Sequence, residues 1–192
     1  MANTTGKKIK DVAIIGGCAS LIYLTIGDIS YRLSLSRGGL NSKLITDMVA
    51  KSAAKKPKDE YKEKLDSMID DGADWFMHQD TEKIIIEKKH RLSLYADLIR
   101  PDKPSNVYII CIHGYTSSPA NMGIYAKKYH ELGYNVLLPS LRGHGDSEQD
   151  FITMGWNDRL DVIEWINYIA ERHPESKIIL HGVSMGAATT MM

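Results

Sequence analysis

Gly182-Val183-Ser184-Met185-Gly186 puts a serine at the centre of a G-x-S-x-G pattern. Lys177-Ile178-Ile179-Leu180, just ahead of it, reads as a short buried strand. Ala187-Ala188-Thr189-Thr190, just behind, reads as the small-residue start of a helix. Strand, G-x-S-x-G and helix in that order form a nucleophile elbow, a sharp turn that holds a serine in a strained backbone conformation with its hydroxyl lifted clear. A serine hydroxyl is a poor nucleophile at neutral pH, so it has to be presented to a base and a carbonyl together. Gly182 and Gly186 flank Ser184 because side chains there would strike the neighbouring strand and helix. The Met185 N–H is expected to face the point where negative charge would develop, beside the positive end of the new helix. A bare G-x-S-x-G arises by chance in many proteins. The apolar strand and small-residue helix around this one give it meaning.

A second group of residues follows the apolar run Val107-Tyr108-Ile109-Ile110-Cys111-Ile112. His113-Gly114-Tyr115-Thr116-Ser117-Ser118 falls directly at its end, where open α/β sheets collect their ligands. Gly114 would let the backbone approach a substrate, and the Tyr115 N–H is the candidate second oxyanion donor beside Met185. His113 has two readings, a general base or a loop-shaping hydrogen-bonding residue, and its early place in the chain favours the second. Leu141-Arg142-Gly143-His144-Gly145-Asp146-Ser147 follows a later strand. Its glycines permit a tight loop and its polar residues can tie the loop down. His144 and Asp146 supply too few ligands for a metal site, so no metal residue is assigned. His181, at the end of the elbow strand, is expected to be packed there.

These motifs need a scaffold, and the pattern of the chain supplies one. Pro57 is expected to open a helix with Asp59 and Glu60 in its first turn and Tyr61, Leu65, Met68, Ile69 and Trp75 at helical spacing. Ile84-Ile85-Ile86 and Leu92-Ser93-Leu94-Tyr95-Ala96 read as two strands joined near Lys89-His90. Val107 to Ile112 has the continuous apolar character of a strand buried on both faces. A helix is expected from about Ala120 to Leu132, closed by Gly133, and then a strand over Asn135-Val136-Leu137-Leu138. Leu160, Ile163, Ile166 and Ile169 mark one face of a helix that ends before Pro174. A hairpin followed by alternating strands and helices predicts an α/β sheet covered on both sides.

The chain has 192 residues, with Lys+Arg 24 against Asp+Glu 24, so no net basic charge argues for a nucleic-acid partner. Cys18 lies in the amino-terminal apolar run and Cys111 in a core strand, which makes a disulfide between them implausible. Lys7, Lys8 and Lys10 precede an uncharged run from Val12 to Gly27, closed by Asp28. The run is slightly short of the roughly 20 residues of a spanning helix. An uncleaved anchor, a cleaved or lipidated signal and a buried helix are all compatible with it. The lack of a small-x-small site beyond it favours the anchor. Residues 1–28 are therefore expected to form a tail and a transmembrane anchor, 29–56 a linker, and 57–192 part of a catalytic domain. Lysines ahead of the span favour a single-pass protein of the cell membrane with an extracytoplasmic domain, although Arg32, Arg37 and Lys43 weaken that bias.

Taken together, Cys111-Ile112-His113-Gly114-Tyr115, Leu141 to Ser147 and Gly182 to Gly186 resemble the α/β-hydrolase superfamily. With Thr153-Met154-Gly155-Trp156, the wording is similar to membrane-anchored bacterial hydrolases of the serine aminopeptidase-like and Bem46-like groups. The resemblance covers roughly Asp80 to Met192. It implies a mostly parallel sheet of eight strands when complete, Ser184 as nucleophile, and Tyr115 and Met185 as oxyanion donors. It also implies an acid and a histidine after the elbow, which this chain does not contain. The expectation is therefore an α/β-hydrolase fold truncated after the elbow, an inactive fragment of an enzyme that cleaves a small-molecule ester or peptide through an acyl-serine. That chemistry requires no cofactor. The alternative is a non-catalytic, membrane-tethered binding module on the same fold.

Overall fold

The computed structural model describes residues 20–37, 59–88 and 92–192. A first helix, α1, covers residues 20–35. It is followed by α2 (Glu60–Met77), β1 (Glu82–Lys88), β2 (Leu92–Ile99) and β3 (Val107–Ile112). A single 3-10 turn, Pro119–Met122, leads into α3 (Gly123–Glu131). Then come β4 (Asn135–Pro139), α4 (Asp158–Arg172), β5 (Lys177–Gly182) and α5 (Met185–Met191). Every strand expected from the sequence is present, but Lys177–Gly182, expected to be buried, lies at the edge of the sheet with Ile179 47% exposed. The proposed turn at Lys89-His90 lies outside the described residues.

The five strands form one mixed sheet in the order β1-β2-β4-β3-β5. β1 and β2 pair antiparallel, with Ile84 opposite Ala96, and β2 pairs antiparallel with β4, with Leu98 opposite Leu137. β3 runs parallel to both neighbours, with Ile110 opposite Leu137 on one side and Leu180 on the other. The parallel strands bring the residues after β3 and β5 to the same edge of the sheet.

The uninterrupted apolar runs of β3 and β4 are explained by burial on both faces. Tyr108, Ile110, Ile112 and Leu137 point into a core with Val162, Trp165 and Ile169 of α4. Ile109, Cys111, Val136 and Leu138 point the other way, onto Phe76, Met122 and Ala126. Alternate residues of a strand face opposite sides, so both parities must be apolar.

Two helices differ from expectation. Asp59 stands outside α2 as its N-cap, its carboxylate accepting from Tyr61 N at 3.1 Å and Lys62 N at 3.3 Å. Pro57 lies outside the described residues. In α4 the buried stripe is Asp158, Asp161, Val162, Trp165 and Ile169, while Leu160 and Ile163 are 47% and 49% exposed. This helix carries apolar residues around much of its circumference, and the bulk of Trp165 decides which side faces the sheet.

The amino-terminal expectation also changes. The run from Val12 lies outside the described residues as far as position 19. Helix α1 continues past residue 28, where an anchor was expected to end, through Asp28 and Arg32 to residue 35. Among the described residues no helix is long and apolar enough to cross a membrane.

Candidate active site

Ser184 occupies the turn between β5 and α5 with φ 54° and ψ −117°, a conformation a residue with a side chain adopts only under constraint. The constraint is the close packing around the turn that the flanking glycines permit. A Cβ on Gly182 would fall 2.3 Å from the carbonyl oxygen of Gly186, and one on Gly186 would fall 2.1 Å from that of Ile112. With neither Cβ present, α5 starts directly against β3 and β5. Ser184 is exposed, and its side chain makes no capping hydrogen bond to the helix that follows.

Gly114 lies against this turn from the β3 side. A Cβ there would come within 3.2 Å of Ser184 Cβ and 3.8 Å of its Oγ. The structure therefore brings together Ser184, Met185, Gly182 and Gly186 of the elbow with Gly114 and Tyr115 of the β3 loop. Neither the Tyr115 N–H nor the Met185 N–H has a hydrogen-bond acceptor among the described residues.

Two histidines bind the β3 and β4 loops together reciprocally. His113 donates from Nδ1 to Gly114 O at 2.8 Å, and its Nε2 accepts from Leu141 N at 3.1 Å. His144 donates from Nδ1 to Arg142 O at 3.2 Å, and its Nε2 accepts from Thr116 N at 3.2 Å. Each ring uses one nitrogen as donor and the other as acceptor, which requires neutral imidazole. Burial pushes His113 down to about 4, with His144 adding a smaller repulsion. Burial also lowers His144, opposed by its hydrogen bond to Arg142 and by Asp158. Both histidines are thus loop ties, with neither ring nitrogen free for Ser184. His181 packs as expected, its Nδ1 2.9 Å from the Tyr129 hydroxyl and its ring against Tyr125.

The β4 loop is also held by a buried charge cluster that sequence reasoning missed. Arg142 grips Asp161 with two bonds of 2.7 and 2.6 Å, and Lys88 reaches the same carboxylate at 3.0 Å. Its signal in the sequence was two charged residues, Asp158 and Asp161, on the buried stripe of α4. The Thr153–Trp156 segment turns through Met154 at φ 51° and Gly155 at φ 90°. Thr153 Oγ1 and Gly155 N both donate to Asp158 Oδ2, at 2.6 and 2.8 Å. Among the described residues no group of three or more His, Cys, Asp or Glu side chains is placed to hold a metal.

Residues 103–192 match the family model described as serine aminopeptidase, S33. Over 90 residues the chain is 31% identical to a thermostable monoacylglycerol lipase of Bacillus sp. (strain H-257), covering 44% of this chain and 34% of that protein. Over 118 residues it is 29% identical to YqkD of Bacillus subtilis (strain 168), covering 61% of this chain and 38% of that protein. The solved Pyrococcus furiosus esterase Pf2001 superposes with a TM-score of 0.54 at 30% identity, over 61% of this chain and 46% of the esterase. Over this segment the chain is similar to the α/β-hydrolase superfamily. It spans a third to a half of the length of these relatives. The β3 loop, the β4 loop and the elbow all fall inside the segment matched by the family model.

Proposed function

We propose that this α/β-hydrolase-like chain carries the nucleophile and oxyanion donors of an enzyme that cleaves a carboxylic ester or amide. Ser184 Oγ attacks the carbonyl carbon and gives up its proton to a base. The carbonyl oxygen takes the negative charge and is held by the Tyr115 and Met185 N–H groups. Collapse breaks the bond to the leaving alcohol or amine, which takes up the proton, and water then releases the acyl group from Ser184. The base is not a histidine of the β3 or β4 loop, because His113 and His144 have both ring nitrogens engaged.

The observation that carries this reading is the exposed Ser184 at φ 54°, with Gly114 against it. A monoacylglycerol lipase and an esterase among the relatives support an ester substrate. The test is a fluorophosphonate probe on the full-length protein. Labelling at Ser184 that is lost in Ser184→Ala supports the enzyme. An unlabelled, folded protein supports a binding module instead. In an ester assay Ser184→Ala should lower kcat by about 10⁴-fold or more.

We also propose that α1 associates with a membrane surface. Leu21, Ile22, Leu24, Ile26, Ile29 and Leu33 are all exposed along it. Apolar side chains exposed along a helix are satisfied by burial at a lipid interface.

A further inference from the structure

Residues 34–37, which the sequence places in a linker, are docked across both loops of the candidate active site. Ile152 N donates to Leu35 O at 2.7 Å, and Arg37 N donates to Asp150 O at 2.7 Å. Ser36 bridges Phe151 in antiparallel fashion between these two bonds. The Arg37 guanidinium reaches Gly145 O at 2.5 Å. The Tyr115 hydroxyl donates to Ser34 O. Tyr31, one turn earlier in α1, sets its ring 5.4 Å from that of Phe151.

These contacts converge on the atoms that matter for catalysis. Tyr115, whose N–H is a proposed oxyanion donor, has its side chain pinned to Ser34. Gly145, held by Arg37, is next to His144, whose Nε2 accepts from Thr116 N. Phe151 O lies 3.0 Å from where a Gly143 Cβ would stand, so the strapped segment also packs against the β4 loop. On its outer side Tyr115 is only partly buried and Thr116 is exposed. A donor that must meet a developing charge has to be fixed in advance, and misplacement by about 1 Å is costly.

We propose that residues 34–37 form a strap that positions the oxyanion loop, with Arg37 as its positioning residue and the Tyr115 hydroxyl as its second fastening. The proposal rests on the reading of Ser184 and Tyr115 given above. Arg37 touches no reacting atom and acts through Gly145 and His144. The strap links the amino-terminal helix to the β3 loop across 81 residues of sequence and to the β4 loop across 108.

The test uses the full-length protein and its Arg37→Ala, Arg37→Lys and Tyr115→Phe variants. Tyr115→Phe keeps the backbone N–H and removes only the fastening. Hydrogen exchange measured by mass spectrometry reads the strap without reference to activity. Arg37→Ala and Tyr115→Phe should each speed exchange about tenfold in peptides covering 114–117 and 143–152, with Arg37→Lys intermediate. In an ester assay both should lower kcat about tenfold to a hundredfold with KM nearly unchanged. The double variant should lose little more than either single one, because both release the same strap. Unchanged exchange in both peptides overturns the strap. Faster exchange with an unchanged kcat in a protein that labels at Ser184 overturns its positioning role. Absence of Ser184 labelling in the parent protein with faster exchange in the variants would sink the enzyme reading and the positioning role with it, while leaving the structural strap standing.

Discussion

His113 and His144 show what a residue type alone does not reveal. A histidine beside a candidate nucleophile invites a role as base, yet here each ring is consumed by two backbone bonds, one within its own loop and one to the other loop. The consequence is a pH dependence of stability whose sign follows from linkage. The folded-state pKa of His113, about 4, is below its ordinary 6.5, so the unfolded chain binds the extra proton first. The contribution is whole above pH 6.5 and is lost as pH falls towards 4, and it amounts to at most ~3 kcal/mol. Urea unfolding at a series of pH values should therefore show a steeper loss between pH 6.5 and 4 in the parent protein than in His113→Gln. Asp161 offers a second check at this scale. Asp161→Ala leaves Arg142 and Lys88 without their shared buried carboxylate and should cost about 3–5 kcal/mol of unfolding free energy. Replacement of Leu160 on the exposed side of α4 should cost far less in the same measurement.

Individual elements were legible wherever their signal was local. The strands over Val107–Ile112 and Lys177–Gly182 announced themselves by apolar runs, and Ser184 by the glycines that let β5 turn sharply into α5. What periodicity could not give was the side each helix presents. In α4, Leu160 and Ile163 fit a helical stripe as well as Val162 and Trp165 do, and only contact with β3 and β4 chose between them. The crossing of α2 and α3 was equally hidden. Gly72 and Gly123 meet there, and a Cβ on Gly123 would fall 2.0 Å from Gly72 O. Its φ of −53° is ordinary, so the glycine serves close approach and not backbone freedom. Gly123→Ala should accordingly force the helices apart and lower stability by roughly 1–3 kcal/mol, read as a fall in Tm.

Across the whole molecule the two proposals on the amino-terminal region meet at α1. One end of this helix fastens onto residues 150–152 beside the β4 loop through Leu35, Ser36 and Arg37, and the rest exposes Leu21, Ile22 and Leu24. In a vesicle flotation assay the protein should bind lipid through α1. Ile22→Asp with Leu24→Asp should weaken binding about tenfold or more, because each carboxylate placed in an apolar interface is strongly opposed. Equal flotation of parent and variant would remove α1 from membrane contact.

By itself the sequence determined the strand and helix segments, the elbow at Ser184 and the likeness to the superfamily, because each is encoded within a few consecutive residues. It also determined that β3 is buried on both faces, since a doubly covered strand is the one that is apolar along its whole length. Tertiary structure alone decided that β4 lies between β2 and β3, that His113 and His144 face each other's loops, and that residues 34–37 lie over Tyr115 and Gly145. All of these depend on pairings between residues 27 to 108 positions apart. Local pattern carries no information about such pairings, because a backbone carbonyl accepts a bond from any donor the fold delivers to it.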